Sequence, residues 1–203
     1  MPRPRELQKR LDLARRAVDV LRTQGLEIST SDLAKQIGIK RPTLLYHFPS
    51  LSHIIETALK DVLTRQAVHV MAQVNQYEHP IDRLYAQIRA VHSFHHGREA
   101  EIVFLSQAIA TSAGERMSAL IEIGNQVFEP YRQAAIERIA RGIKDGLVKP
   151  CDPVALISLV RSVIDGLLIQ RVMTGIDLEP VHQLLWTQVL HPLKKSKRSQ
   201  DVS

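Results

Sequence analysis

Apolar residues return every three or four positions along almost the whole chain, as in Leu7, Leu11, Ala14, Val18 and Leu21, while alternating runs of β-branched residues are almost absent. That period suits one face of an α-helix and not a pleated strand, so it predicts an all-α fold. The 203 residues suffice to bury a sizeable core, as one large domain or as a small head on a larger body.

Punctuation residues divide the pattern into helices. The first is expected over 6–24, stopped by Gly25, a residue that tolerates the left-handed turn after a helix. Ser29-Thr30-Ser31-Asp32 reads as a capping box that starts a second helix, which Gly38 ends. A third begins near Arg41, with Pro42 in its first turn, where an amide has no partner inside the helix, and ends at Phe48-Pro49. Ser50 then caps a long fourth helix over about 51–76. Further helices are expected at about 81–97, 99–111, 115–146 with a bend at Pro130, 152–174 and 178–191. The stretch KKSKRSQDVS, polar and basic, is expected to be a disordered tail.

Charge is concentrated at the ends. Residues 1–60 carry 11 Lys/Arg against 6 Asp/Glu, residues 61–193 carry 12 against 14, and residues 194–203 carry 4 against 1. A basic head on a near-neutral body fits a polyanion partner, although a solvated surface has the same composition. No run of about 18 uninterrupted apolar residues is present, and MPRPREL does not resemble a secretory leader, so no membrane partner is expected. The single cysteine, Cys151, excludes an internal disulfide, and a reducing cytoplasm is the expected location.

Helix, short glycine turn, helix is the geometry that sets a second helix across the first so that it can enter a DNA major groove. In GIKRPTLLYHFPSL, Leu44 and Phe48 face inward, as do Leu33, Ala34, Ile37 and Ile39 before them, and Arg41, Thr43, Tyr46 and His47 form an exposed polar stripe. Arg41 can fork onto guanine, Thr43 can bond a phosphate or pack on a thymine methyl, and Tyr46 and His47 can reach backbone oxygens. The segment STSDLAKQIGIKRPTLLYHFPSL resembles the DNA-binding signature of TetR-family transcriptional repressors, specifically over residues 7–60.

The resemblance implies a three-helix head (1–50) joined through a long helix to an all-helical effector-binding and dimerisation body (51–193), followed by the basic tail (194–203). Carried over by position, the DNA-binding set is Ser29, Thr30, Ser31, Lys40, Arg41, Pro42, Thr43, Tyr46 and His47, with Arg3 and Arg5 reaching phosphate or minor groove. Leu45 and Leu51 depart from the family pattern, standing where phosphate-touching tyrosine and lysine are usual, and Lys40 takes a cap position where serine is common. Each missing phosphate contact lowers sequence-independent affinity and flattens its salt dependence.

Between Val154 and Met173 apolar residues cover more than one helix face, so one side packs inward and the rest needs a partner. With the helix that follows, this implies a homodimer through Val160, Val163, Ile164, Leu167, Leu168, Arg171, Leu184 and Leu185. Arg161 and Asp165, one turn apart in that helix, are expected to be buried and paired, with each other or across the dimer. The effector, by the same resemblance, sits among the middle helices, with candidates His92, Phe94, His95, Phe104, Gln107, Ile121, Asn125, Phe128, Tyr131 and Gln170. The aromatics among them favour a small, largely apolar molecule.

Other chemistries find little support. His92, His95 and His96 have a spacing at which imidazoles share a metal, but no further donor set accompanies them, and neither metal nor cofactor is expected. Cys151 has only Lys149 nearby to lower its pKa and reads as a bystander thiol. No nucleophile beside a base and no glycine-rich phosphate loop marks an enzyme. The expected function is a ligand-responsive DNA-binding regulator, a repressor that grips a pseudo-palindromic operator as a dimer and is released by its effector. The alternative keeps the DNA head without an effector, as an architectural or partner-recruiting protein.

Overall fold

The computed structural model describes residues 4–110 and 115–195, so residues 196–203 of the expected tail lie outside the described residues. Its helices are α1 (Pro4–Gln24), α2 (Thr30–Gln36), α3 (Arg41–His47), α4 (Leu51–Val74), α5 (Pro80–His95), α6 (Glu99–Ala110), α7 (Glu115–Lys144), α8 (Pro153–Thr174) and α9 (Glu179–Leu185). After α9 the chain continues as a π-helical turn, Trp186–Leu190, and a 3-10 turn, His191–Leu193. Among the described residues there is no strand, only an isolated antiparallel bridge between Val148 and Lys194.

The described residues form two compact units, one within 4–65 and 100–127 and the other within 66–99 and 128–195. In the first, Leu13, Ala14, Ala17, Val18 and Leu21 of α1 are buried with Leu33, Leu44, Phe48, Ile54 and Val62. Of the stripe that the sequence period of α1 predicts, Ala14, Val18 and Leu21 are buried, whereas Leu11 is half-buried and Leu7 is exposed, because the inward face is turned toward Leu13 and Ala17. Asp61 of α4 is buried too, and it holds α1 to α4 by charge. Arg15 grips it with two hydrogen bonds, Nε to Oδ2 at 2.8 Å and Nη2 to Oδ1 at 2.9 Å, and Arg65 Nε adds a third at 3.0 Å. Burial alone would raise the Asp61 carboxyl, but the Arg15 hydrogen bonds and the Arg65 charge outweigh it and hold the group below its usual range.

In the second unit Ile81, Ile88, Ile139, Val148, Ile164 and Leu190 are fully buried. Two buried histidines join α5 to α8 and α9. His92 Nε2 lies 3.0 Å from the Ile164 carbonyl, which can only accept, so that nitrogen carries the proton. His92 Nδ1 is then an acceptor for His182 Nε2, 2.7 Å away, an arrangement that both rings make while neutral. Lys194 closes the unit by bonding both oxygens of Asp82 at 2.7 and 2.8 Å.

The α8 helix is long and apolar enough to cross a membrane, with a mean hydropathy of 1.6 over its most apolar window. Its residues divide into two stripes instead. Leu156, Ile157, Val160, Ile164, Leu167 and Leu168 are buried within the protomer, whereas Leu159, Ile169, Val172 and Met173 are exposed. The dimer set drawn from the sequence therefore needs correction: Val160, Ile164, Leu167, Leu168 and Leu185 fill the protomer's own core. Val163 and Arg171 are half-buried and Leu184 is 62 % exposed. A helix apolar on two sides does not announce which side its own chain takes. Arg161 and Asp165 do pair, at 2.7 Å, but at the surface and not in a buried setting.

Candidate nucleic-acid interface

The turn between α2 and α3 is built by local hydrogen bonds. Ser29 Oγ accepts from the Asp32 amide at 3.1 Å and donates to the Asp32 carboxylate at 2.6 Å, which fixes the start of α2. At its end the Ile39 amide bonds the Ala34 carbonyl at 2.9 Å and the Gly38 amide bonds Lys35 at 3.1 Å. That paired pattern requires the left-handed backbone at Gly38, φ +71°, where a side chain would be strained. Arg16 adds a hydrogen bond to the Ile37 carbonyl from outside the motif.

Behind α3, Leu44 and Phe48 are each 1 % exposed, and the Arg10 guanidinium lies 5.4 Å from the Phe48 ring centre. These buried anchors fix which edge of α3 faces outward. On that edge Lys40, Arg41, Pro42 and Tyr46 are exposed, and Thr43 and His47 are half-buried. Arg41 Nε donates to Thr30 Oγ1 at 3.2 Å, which extends the guanidinium along the edge. Tyr46 is 74 % exposed, with its ring edge-on to His47 at 5.1 Å. Burial, helped by the charge of Lys9, depresses the His47 pKa.

The edge faces an open cleft of about 640 Å³ lined by Arg5, Glu6, Lys9, Pro42, Thr43, Tyr46 and His47. Two cations, a hydroxyl, a phenol and an imidazole thus share one open wall, a donor-rich surface suited to phosphate oxygens and base edges. Of the DNA-binding set, Arg5, Pro42, Thr43, Tyr46 and His47 gather in the cleft. Thr30 and Arg41 bond one another beside it, Ser29 acts as the α2 cap, Ser31 and Lys40 are exposed, and Arg3 lies outside the described residues. Lys9 and Glu6 were not anticipated. The four-residue spacing of Arg5 and Lys9 would have put both on one face of α1, but nothing local says that this face meets α3.

The effector set disperses by comparison. His92 and His95 are not free to line a pocket: His92 is committed to Ile164 and His182, and His95 Nε2 to Gln66 Oε1 at 2.7 Å. Gln107, Ile121, Asn125, Tyr131 and Gln170 are exposed, and Phe94, Phe104 and Phe128 are half-buried. Phe94 packs on His69 and His95, and Phe128 carries the Arg161 guanidinium at 5.2 Å. His96 bonds Arg171 at 2.6 Å, so the three histidines of α5 and its end take three different partners. Burial raises the Cys151 thiol above its ordinary pKa, opposite to what a redox sensor needs.

The chain has the all-helical fold of TetR-family transcriptional regulators. FadR from Bacillus subtilis, in complex with stearoyl-CoA, superposes with a TM-score of 0.72 at 20 % identity, over 86 % of this chain and 96 % of that one. The TetR-family regulator PfmR from Thermus thermophilus gives 0.69 at 17 % identity, over 97 % and 100 %. AibR, in complex with isovaleryl coenzyme A and operator DNA, gives 0.62 at 16 % identity, over 84 % and 89 %. No protein-family model matches the sequence, and no curated protein matches it.

Proposed function

We infer that this chain is a DNA-binding transcriptional regulator, a repressor that holds a pseudo-palindromic operator as a homodimer and is released by a small, largely apolar effector. The observation that carries the reading is the edge of α3. Arg41, Thr43 and Tyr46 are presented to solvent by a helix pinned from behind, beside Arg5 and Lys9. Residues 1–50 act as the reading head, 51–193 as the effector-binding and dimerising body, and 194–203 as a basic tail. The reaction chemistry of an enzyme plays no part, and the cytoplasm, where the operator is, is the site of action.

Dimerisation follows from geometry and an unpartnered surface. One seven-residue helix reads few base pairs, so two heads about 34 Å apart are needed for a specific site. Leu159, Ile169, Met173 and Ile176 recur at helical spacing with Gly166 among them, and a Cβ at Gly166 would meet nothing within 4 Å. A partner helix can approach closely there. Neighbours of this fold bind an acyl-CoA and operator DNA, which supports both the DNA partner and an apolar effector here.

Selection of genomic fragments on the purified protein, followed by footprinting, tests the reading. Arg41→Ala with Tyr46→Ala should weaken binding to the selected site by about a hundredfold, the scale of losing one bidentate base contact and a backbone contact, while the dimer stays intact. Unchanged affinity would remove α3 from the interface.

A further inference from the structure

One group in the cleft has the wrong sign for a surface that meets DNA. Glu6 stands between Arg5 and Lys9, and its Oε1 accepts a hydrogen bond from the Tyr46 hydroxyl at 3.1 Å. A phenol has one proton to donate. Given to Glu6, that proton is withheld from a phosphate. The hydrogen bond to Glu6 also raises the Tyr46 phenol above its ordinary pKa.

The contact is not what a first-turn glutamate would make by default. An acid at a helix start is favoured by the helix dipole wherever its side chain points. Lys9 and Arg10 lie three and four positions on, the spacing of an intrahelical ion pair. Among the described residues neither forms an ion pair with Glu6, and its carboxylate reaches across to α3. There it presents an anionic oxygen at hydrogen-bond distance from Tyr46, as a backbone phosphate would.

We propose that Glu6 sets the sequence-independent DNA affinity of the head: its carboxylate occupies the Tyr46 hydroxyl, and a backbone phosphate must displace it before Tyr46 can bind. The proposal rests on the reading of the α3 edge as a DNA surface. On docking, the Tyr46 hydroxyl redirects its hydrogen bond from the Glu6 carboxylate to a phosphate oxygen, and the released carboxylate turns to solvent or Lys9. Until then the head carries a negative charge where a polyanion must arrive.

The test measures binding of the full chain to a mixed-sequence duplex of about 30 base pairs and to the selected operator, across a salt series. Glu6→Ala should bind both duplexes about eightfold more tightly at 0.1 M salt, with a salt slope steeper by about 0.9, the increment of one charge no longer opposing the duplex, and Glu6→Gln, whose amide oxygen can still accept from Tyr46, should gain less. Asp19→Asn, the same charge change on the exposed far part of α1, should stay within about twofold because screening weakens distant charges. In a Tyr46→Phe background the gain from Glu6→Ala should fall by at least about half. A Glu6→Ala gain no larger than that of Asp19→Asn, or a full gain without the Tyr46 hydroxyl, would overturn the proposal. Alkaline absorbance titration of the free protein reads the same bond without DNA. Glu6→Ala should shift one tyrosine to earlier ionisation, and an unchanged curve would overturn the gate alone. If neither wild type nor Glu6→Gln binds any duplex, the DNA-binding reading itself falls, and the gate with it.

Discussion

Replacing His182 by glutamine keeps an N–H donor for His92 Nδ1 but removes a group that can take up a proton, so it isolates the acid sensitivity built into the second unit. In the folded chain both nitrogens of His92 and Nε2 of His182 are already engaged with both rings neutral. A further proton would have to sit on His182 Nδ1, in a side chain that is 7 % exposed. Burial, with the neighbouring His92 and Arg89 and against the pull of Glu179, lowers the His182 pKa from 6.5 to about 4. The His92 pKa is lowered as well, again chiefly by burial. Between those values the unfolded chain binds a proton that the native chain refuses, so stability rises with pH across this window and falls on acidification. At 1.36 kcal/mol per unit the loss from pH 6.5 to about 4 is about 3 kcal/mol. Urea unfolding at fixed protein concentration, repeated from neutral pH to about pH 4, should show wild type converging on His182→Gln by about that amount, since carboxylate effects cancel in the difference. Parallel curves, separated by a constant gap, would refute the buried neutral pair.

Three further outcomes follow from packing and charge. Asp61→Asn should cost about 3 kcal/mol of stability in chemical denaturation, the low end for breaking a buried ion pair, because Arg15 and Arg65 are themselves part-exposed. The contribution of that carboxylate is present above its ordinary pKa of 3.8 and is lost only as pH falls through its lowered native value. Gly142→Ala should destabilise by about 1–3 kcal/mol, since the new methyl would lie 2.9 Å from Val148 Cγ2 and 3.0 Å from Pro80 Cγ. Ile169→Glu with Met173→Glu, on the exposed stripe of α8, should give folded monomers in analytical ultracentrifugation, whereas charges at buried Leu167 and Leu168 should unfold the chain.

Where local chemistry decides the backbone, the sequence was sufficient. Gly25 and Gly38 end their helices at positive φ, Ser29 caps α2, and Pro42 sits in the first turn of α3. The polar stripe of α3 follows from two buried anchors in a helix of fixed period, so it too was legible. What escaped depends on contacts between distant segments. The end of the last helix was expected to be regular, but it opens into a π-helical turn at Trp186, whose ring lies 4.8 Å from that of Tyr85. Which apolar side of α8 faces inward is set by α5, and no period in α8 encodes it. His92 and His182 are 90 residues apart, and an isolated histidine on an apolar face gives no sign of its partner. Glu6 is the same case on the surface, a charge whose meaning comes from a tyrosine 40 residues later.

The measurement that bears most directly on the account is photo-crosslinking of the full chain to its selected duplex, followed by identification of the modified peptides. Crosslinks should fall on the peptide containing Arg41, Thr43, Tyr46 and His47 and on the start of α1 around Arg5 and Lys9, in both protomers of one complex. Modification confined to α8, α9 or the 194–203 tail would contradict it, because the braced edge of α3 would then not be the surface that meets DNA.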